Sequence, residues 1–422
     1  MPNRRLPVRP DLDQLRHQAK DLLRAAHQGD PSALAEFAEF HPRPIDPAQA
    51  VLADAQLVLA RSYEAQTWPR LVHACELIDA IWRDDVDAVR EMVVKYPELL
   101  HEQALVRTNS NWGPPLSYAA NLGRDRIIDA LLELGASDLE YAVGRAALQG
   151  RVETARRLHR RLGSPRPTAG ALSGPAYTLS ATGTALVLEL GAPVADADGR
   201  RLAPVDVVLE TDSRIPPAKH AILEMYASHG LELPDTPVMA LHRGRVDLLE
   251  AHLRRDPSLL HRTFAFSEIY PPELGCHSEV LATHGTPLGG ATLLHMCVDY
   301  DELEIGRWLL DRGMDVNVRA DVDRDGFGGH TALFATVVSQ PAFWMNHRGG
   351  PYEAPFTALL LERGADPNVR ASLRKQLHPG YGDDVMREYR DVTPLSWGER
   401  FAHRKFVSEP AMQLIAAHGG RA

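Results

Sequence analysis

Residues 290–317, GATLLHMCVDYDELEIGRWLLDRGMDVN, constrain this chain more than any other stretch. Thr292 suits an N-cap, and Leu294, Cys297 and Val298 share one face of a short first helix. Asp299 to Asp301 make the turn. A second helix carries Leu303, Ile305, Trp308, Leu309 and Leu310, and Gly313 closes it where positive φ is needed. Asp315, Val316 and Asn317 lead into a further loop. Neither helix can bury its apolar side alone. The pair demands a neighbour on each side, which is the logic of a stack built from repeated units.

The stretch resembles an ankyrin repeat. Gly290, Thr292, Leu294, His295, Leu309, Leu310, Gly313, Asp315 and Asn317 stand where that family has them. Leu293 replaces the usual Pro and Asp301 the usual Gly of the inter-helix turn, with the spacing intact. A second match is 111–137, NWGPPLSYAANLGRDRIIDALLELGAS, through Gly113, Pro115, Leu116, Ala119, Ala120, Gly123, Leu131, Leu132, Gly135 and Ala136. Further helix pairs are expected at 77–100, 139–162, 167–192, 203–230 and 236–260, near the family's period of about 33 residues. Two more begin at Gly329-His330-Thr331 and at Thr393-Pro394-Leu395, making about nine units in all.

A stack of this kind escapes the size limit of a single compact core, which 422 residues would exceed. The formal charge of -10 argues against a nucleic-acid groove. Cys75, Cys276 and Cys297 are too few and too scattered for a disulfide framework, so a reducing, cytoplasmic home is expected. No secretory signal and no apolar run of membrane-spanning length is apparent. Neither nucleic acid nor membrane is expected as a partner.

Residues 1–74 read differently. Asp11 precedes a run with Leu12, Leu15, Leu22 and Leu23 at helical spacing. Asp30-Pro31 and Asp46-Pro47 each look like an N-cap followed by proline, and Thr67 caps a helix carrying Leu71, Leu77, Ile78 and Ile81. The segment is similar to the helical leader found ahead of ankyrin repeats in some bacterial proteins, carried by LADAQLVLARSYEAQTWPRL. Its expected role is to cover the open face of the first repeat.

Regularity breaks after residue 262. Ankyrin geometry puts 262–289, 318–330 and 371–391 at the finger positions of consecutive repeats, so they should project from one edge. Residues 340–355 fall at the opposite end of a first helix, and their Phe343 and Trp344 either face a partner or fold back on the repeat. Long loops of this size usually carry function. The fingers hold Cys276, His277 and His284; then Asp321, Asp323, Asp325 and His330; then His378, Tyr381, Asp383 and Asp384. His277, His330 and His378, one from each finger, are candidate ligands for a divalent metal such as zinc, with Asp323 or Asp383 completing the set. The opposing expectation is that they are separate solvated loop residues and that there is no cofactor. His330 is expected to be a solvent-exposed finger residue, and His295 a structural tie between finger and helix. Asp321, Asp323 and Asp325 open like a calcium loop, but Ala332 stands where the bidentate Glu is required. Cys276 beside His277 is not a catalytic pair on adjacency alone.

The expected fold is all-α, an ankyrin-repeat solenoid of stacked helix pairs with short β-like fingers and an N-terminal helical cap. Residues 1–74 form the cap, 75–262 a first block of repeats, and 263–422 a second block with enlarged fingers. The family resemblance implies a non-catalytic module that binds a protein partner on its concave finger and first-helix surface. Arg319, Asp323, Asp325, His330, Trp344, Arg370 and Tyr381 are the candidate contacts. The alternative is a metal-dependent enzyme using the enlarged fingers.

Overall fold

A computed structural model describes residues 4–277, 285–339, 354–377 and 385–422. The chain divides into two compact units, Met1–Pro165 and Arg166–Ala422. Both are built of short antiparallel helix pairs. Among the described residues nine such pairs follow one another, from Trp68–Trp82 with Val86–Lys95 to Pro394–Arg400 with Glu409–Ala417.

In the first unit, three helices precede the pairs: Leu12–His27, Pro31–Phe40 and Leu52–Ser62. The Asp11 carboxylate accepts from the amides of Asp13 and Gln14 at 2.8 and 3.0 Å, and Asp30 does the same for Ser32 and Ala33. Asp46 also caps, but only a single 3-10 turn, Pro47–Gln49, because the backbone turns extended at Ala50. One helix, capped by Thr67, runs continuously through residue 75. The N-terminal segment lies on this helix and the next pair. Arg9 reaches Asp79 at 2.7 Å and stacks over Trp82, and the Tyr118 hydroxyl donates to the Val8 carbonyl while accepting from Trp82 Nε1.

The reference stretch of the second unit folds as its pattern requires. Thr292 precedes the helix Leu293–Asp299, and its hydroxyl and amide both face His295 Nδ1. Leu294, Cys297 and Val298 are buried, as are Ile305, Leu309 and Leu310 of the helix Leu303–Asp311. Gly313 takes φ +90°, and Asp301, in place of glycine, is held at φ +59°. Two successive repeats of this unit hand on to their neighbours through an asparagine. Asn317 donates to the Gly364 carbonyl and accepts from the Asp366 amide; Asn368 repeats this with Gly419 and Arg421. That recurrence fixes the stacking register. The described residues are mostly helical, built of stacked helix pairs, with one two-stranded hairpin and a few isolated β-bridges.

Candidate functional site: the finger edge

Backbone bonds join the enlarged fingers of the second unit side by side. Phe264 pairs with Ala291, the Asp321 amide donates to the Gly290 carbonyl, Val322 pairs with Gly328, and Gly328 pairs with Ser372. The last finger is a true antiparallel hairpin, β1 (Ala371–Lys375) with β2 (Arg387–Val392). Sequence reading placed 371–391 as an enlarged finger without assigning strands within it. The alternation it missed is legible: Ala371, Leu373 and Lys375 point inward while Ser372 and Arg374 do not. Gly328 lets the two limbs of the second finger close on each other, since a Cβ there would lie 1.9 Å from the Asp321 carbonyl oxygen.

The candidate contacts fall into three groups. Asp323 and Asp325 shape and brace a finger tip. Asp323 accepts from the amides of Asp325 and Phe327, both at 2.9 Å, which holds its carboxyl below the ordinary carboxylate range. Arg374 then bridges to Asp323 at 2.7 Å and Asp325 at 3.0 Å. Beneath them Phe327 is buried under the guanidinium groups of Arg374 and Arg390. Arg319 and Arg370 link fingers: Arg319 donates to the carbonyls of Gly329 and Arg370, and Arg370 donates to the Asp391 carbonyl and carboxylate. These arginines and aspartates are struts as well as surface. Trp344 and Tyr381, like Phe343, His284, His378, Asp383 and Asp384, lie outside the described residues.

His330 overturns its expectation of exposure. It is buried, with Nε2 donating to the Pro287 carbonyl at 3.0 Å, because the insertion before residue 290 folds over it. Its carbonyl accepts from His295 Nε2 at 3.1 Å, so His295 does tie finger to helix. The two rings meet edge-on with centroids 5.2 Å apart. Burial pushes His295 down to about 4, and burial together with His295 pushes His330 down to about 3. Both are neutral at pH 7. His277 stands elsewhere, on the surface, with its amide and ring on Glu210. Among the described residues no group of three or more His, Cys, Asp and Glu is placed to hold a metal ion. Burial raises the Cys276 thiol to about 12, which leaves no thiolate for the neighbouring imidazole to exploit.

A second concentration of charge, unforeseen from sequence, lies beneath the reference repeat. Arg214 gives Nε to the Asp299 carbonyl at 2.6 Å and Nη2 to its carboxylate at 3.0 Å, and Nη1 to the Ser213 carbonyl. Lys219 Nζ lies 2.8 Å from Glu302 Oε1, but out of hydrogen-bond alignment, and 4.3 Å from the centre of the Tyr300 ring. His220 Nε2 reaches the same Glu302 oxygen at 2.7 Å. Burial lowers the Lys219 ammonium below its ordinary range. Burial works against the Glu302 carboxylate too, yet Lys219 and His220 draw it below its ordinary value. Tyr270 and Tyr300 close the cluster through their hydroxyls. Lys219 and His220 on the helix Pro216–Ser228 and Arg214 just before it thus clamp Asp299, at the end of the helix Leu293–Asp299, and the following Glu302.

An opening does exist on the finger edge. It measures about 300 Å³ and lies between the second and third enlarged fingers, against Arg319, Val322, the glycines 326, 328 and 329, Arg370, Ser372 and Asp391. Val322 is an exposed apolar side chain at its rim.

The family model described as "Ankyrin repeat" matches residues 289–318. No curated protein sequence matches the chain. Among solved structures, the crystal structure of the human ASB11 ankyrin repeat domain is similar at 14% identity, over 73% of this chain and 99% of that one, with a TM-score of 0.25. That score is too low to carry anything further across. Finger, first helix, left-handed turn and second helix are all present where the family model matches, so residues 289–318 form an ankyrin repeat.

Proposed function

We propose that the chain is a non-catalytic protein-binding module of the cytoplasm, and that the finger edge after residue 262 is its binding face. One observation carries the reading. The described parts of the enlarged fingers are joined to one another by backbone pairing and by Arg319 and Arg374, while exposing Val322 beside an opening. A face ordered before its partner arrives does not lose loop entropy on binding. The ankyrin family, whose members mostly bind proteins, supports the same reading. Among the described residues no helix is long and apolar enough to cross a membrane, and all three cysteines are free and buried, in keeping with a reducing compartment. The same reading keeps residues 1–74 as a cap, 75–262 as the first block of repeats and 263–422 as the block that binds.

The test is comparative capture from native lysate. Proteins retained by the parent should be lost by Val322→Asp, on the finger edge, and kept by Arg307→Glu, on the exposed side of a second helix. Equal retention by all three would refute the finger edge as the binding face.

A further inference from the structure

The opening between the second and third enlarged fingers has a definite chemistry. Arg319 is anchored twice, through Nε to the Gly329 carbonyl at 2.6 Å and through Nη2 to the Arg370 carbonyl. Its Nη1 has no partner among the described residues. Arg370 is anchored through Nη1 alone, to the Asp391 carbonyl at 2.9 Å and carboxylate at 2.8 Å. Its Nε and Nη2 are likewise uncommitted among the described residues. Ser372 Oγ accepts from the Asp391 amide at 3.1 Å, leaving its own hydroxyl hydrogen to turn outward. Three glycines, 326, 328 and 329, form part of the wall, so a ligand backbone can approach without meeting a Cβ.

Two guanidinium groups held in place with spare N–H donors are a receptor for an anion. Asp391 decides which one. It contributes one negative charge to a site with two positive ones, leaving a net charge of one. A monoanionic carboxylate balances that charge. A phosphate dianion would be pushed against the Asp391 oxygens. The exposed Val322 adds an apolar surface beside the donors. The geometry points to a site for an acidic peptide segment, with an Asp or Glu side chain set between Arg319 and Arg370 and an adjacent apolar residue laid on Val322. This rests on the finger edge being a protein-binding face and names the partner chemistry at it.

The probe is a displayed library of random octapeptides, selected on the full chain at low salt. The recovered sequences should be enriched in Asp or Glu next to an apolar residue. The best of them, synthesised, should bind about tenfold more weakly to Arg370→Gln. Replacing its acidic residue with the amide should cost the same, and the two changes together little more than either alone. Asp391→Asn, which removes the competing carboxylate, should bind it more tightly; this gain cannot come from unfolding. A library that returns no binders, or binders without acidic enrichment, would overturn the site. So would an acidic peptide that binds equally to Arg370→Gln and Asp391→Asn. The two readings separate: loss of cellular partners with Val322→Asp but no acidic selection leaves the binding face standing and removes the carboxylate site. Acidic selection with lysate capture indifferent to Val322 does the reverse.

Discussion

Two sets of basic side chains and carboxylates lie within the second unit, one on the finger edge and one beneath the reference repeat. On the edge, Arg374 spans Asp323 and Asp325 with all three side chains more than a third exposed. Inside, Arg214, Lys219, Asp299 and Glu302 are nearly sealed from water. Distances are similar, but the consequences differ. The exposed set loses little if broken, since water and salt replace each partner. The buried set gains no such relief, so removing one charge strands another. Within the buried set a further contrast appears. Arg214 spreads its donors over carbonyls and a carboxylate, whereas Lys219 has a single ill-aligned partner and an aromatic face.

The comparison breaks most visibly at Glu302. Glu302→Gln should destabilise by about 3–5 kcal/mol, because Lys219 is left charged and buried without its counter-ion. Lys219→Met combined with Glu302→Leu should recover most of that loss. Urea unfolding checks both, and an unchanged midpoint in the single variant would show that the clamp does not matter. Leu309→Ala, which removes apolar contact from the same repeat, calibrates the scale at about 2–5 kcal/mol.

Acid tests a third kind of buried group. His295 and His330 are neutral in the fold, with values near 4 and 3 against an ordinary 6.5. Their folded values are depressed, so the unfolded chain binds more protons between these limits. The stability they contribute is complete above pH 6.5 and is lost as pH falls toward 4. For His295 the difference of 2.5 (6.5 − 4) corresponds to about 3 kcal/mol. Denaturant midpoints measured from pH 7 to pH 4 should fall, and His330→Asn should flatten the profile. A profile flat in the parent would contradict the neutral pair.

Backbone strain is the next smaller effect. Asp301 sits in the left-handed region where the family has glycine, and Asp301→Gly should stabilise by about 1 kcal/mol. A loss instead would mean that its side chain contributes more than its backbone costs. Smallest of all, Arg374→Ala should leave the unfolding midpoint unchanged at physiological salt, while loosening the finger tip as seen by faster amide exchange at Phe327. A large drop in midpoint would erase the distinction between the two charge sets.

The sequence by itself determined the helix pairs, the caps of the leading helices at Asp11 and Asp30, the cap at Thr67, the start of a helix after Thr292, the left-handed stop at Gly313, and the burial of Leu309 and Leu310. These depend on partners within a few residues, where composition and spacing are sufficient signals. It also placed the enlarged fingers on one edge, because repeat register carries over from one unit to the next. What it did not determine is what each polar side chain meets. His330 became buried because an insertion ahead of residue 290 covers it. Arg374 found Asp325 49 residues away, and Arg214 found Asp299 85 residues away. No local pattern encodes such a meeting. It is decided when stacked units bring distant backbones together, and only then does a charge in the sequence become a strut, a clamp or a binding group.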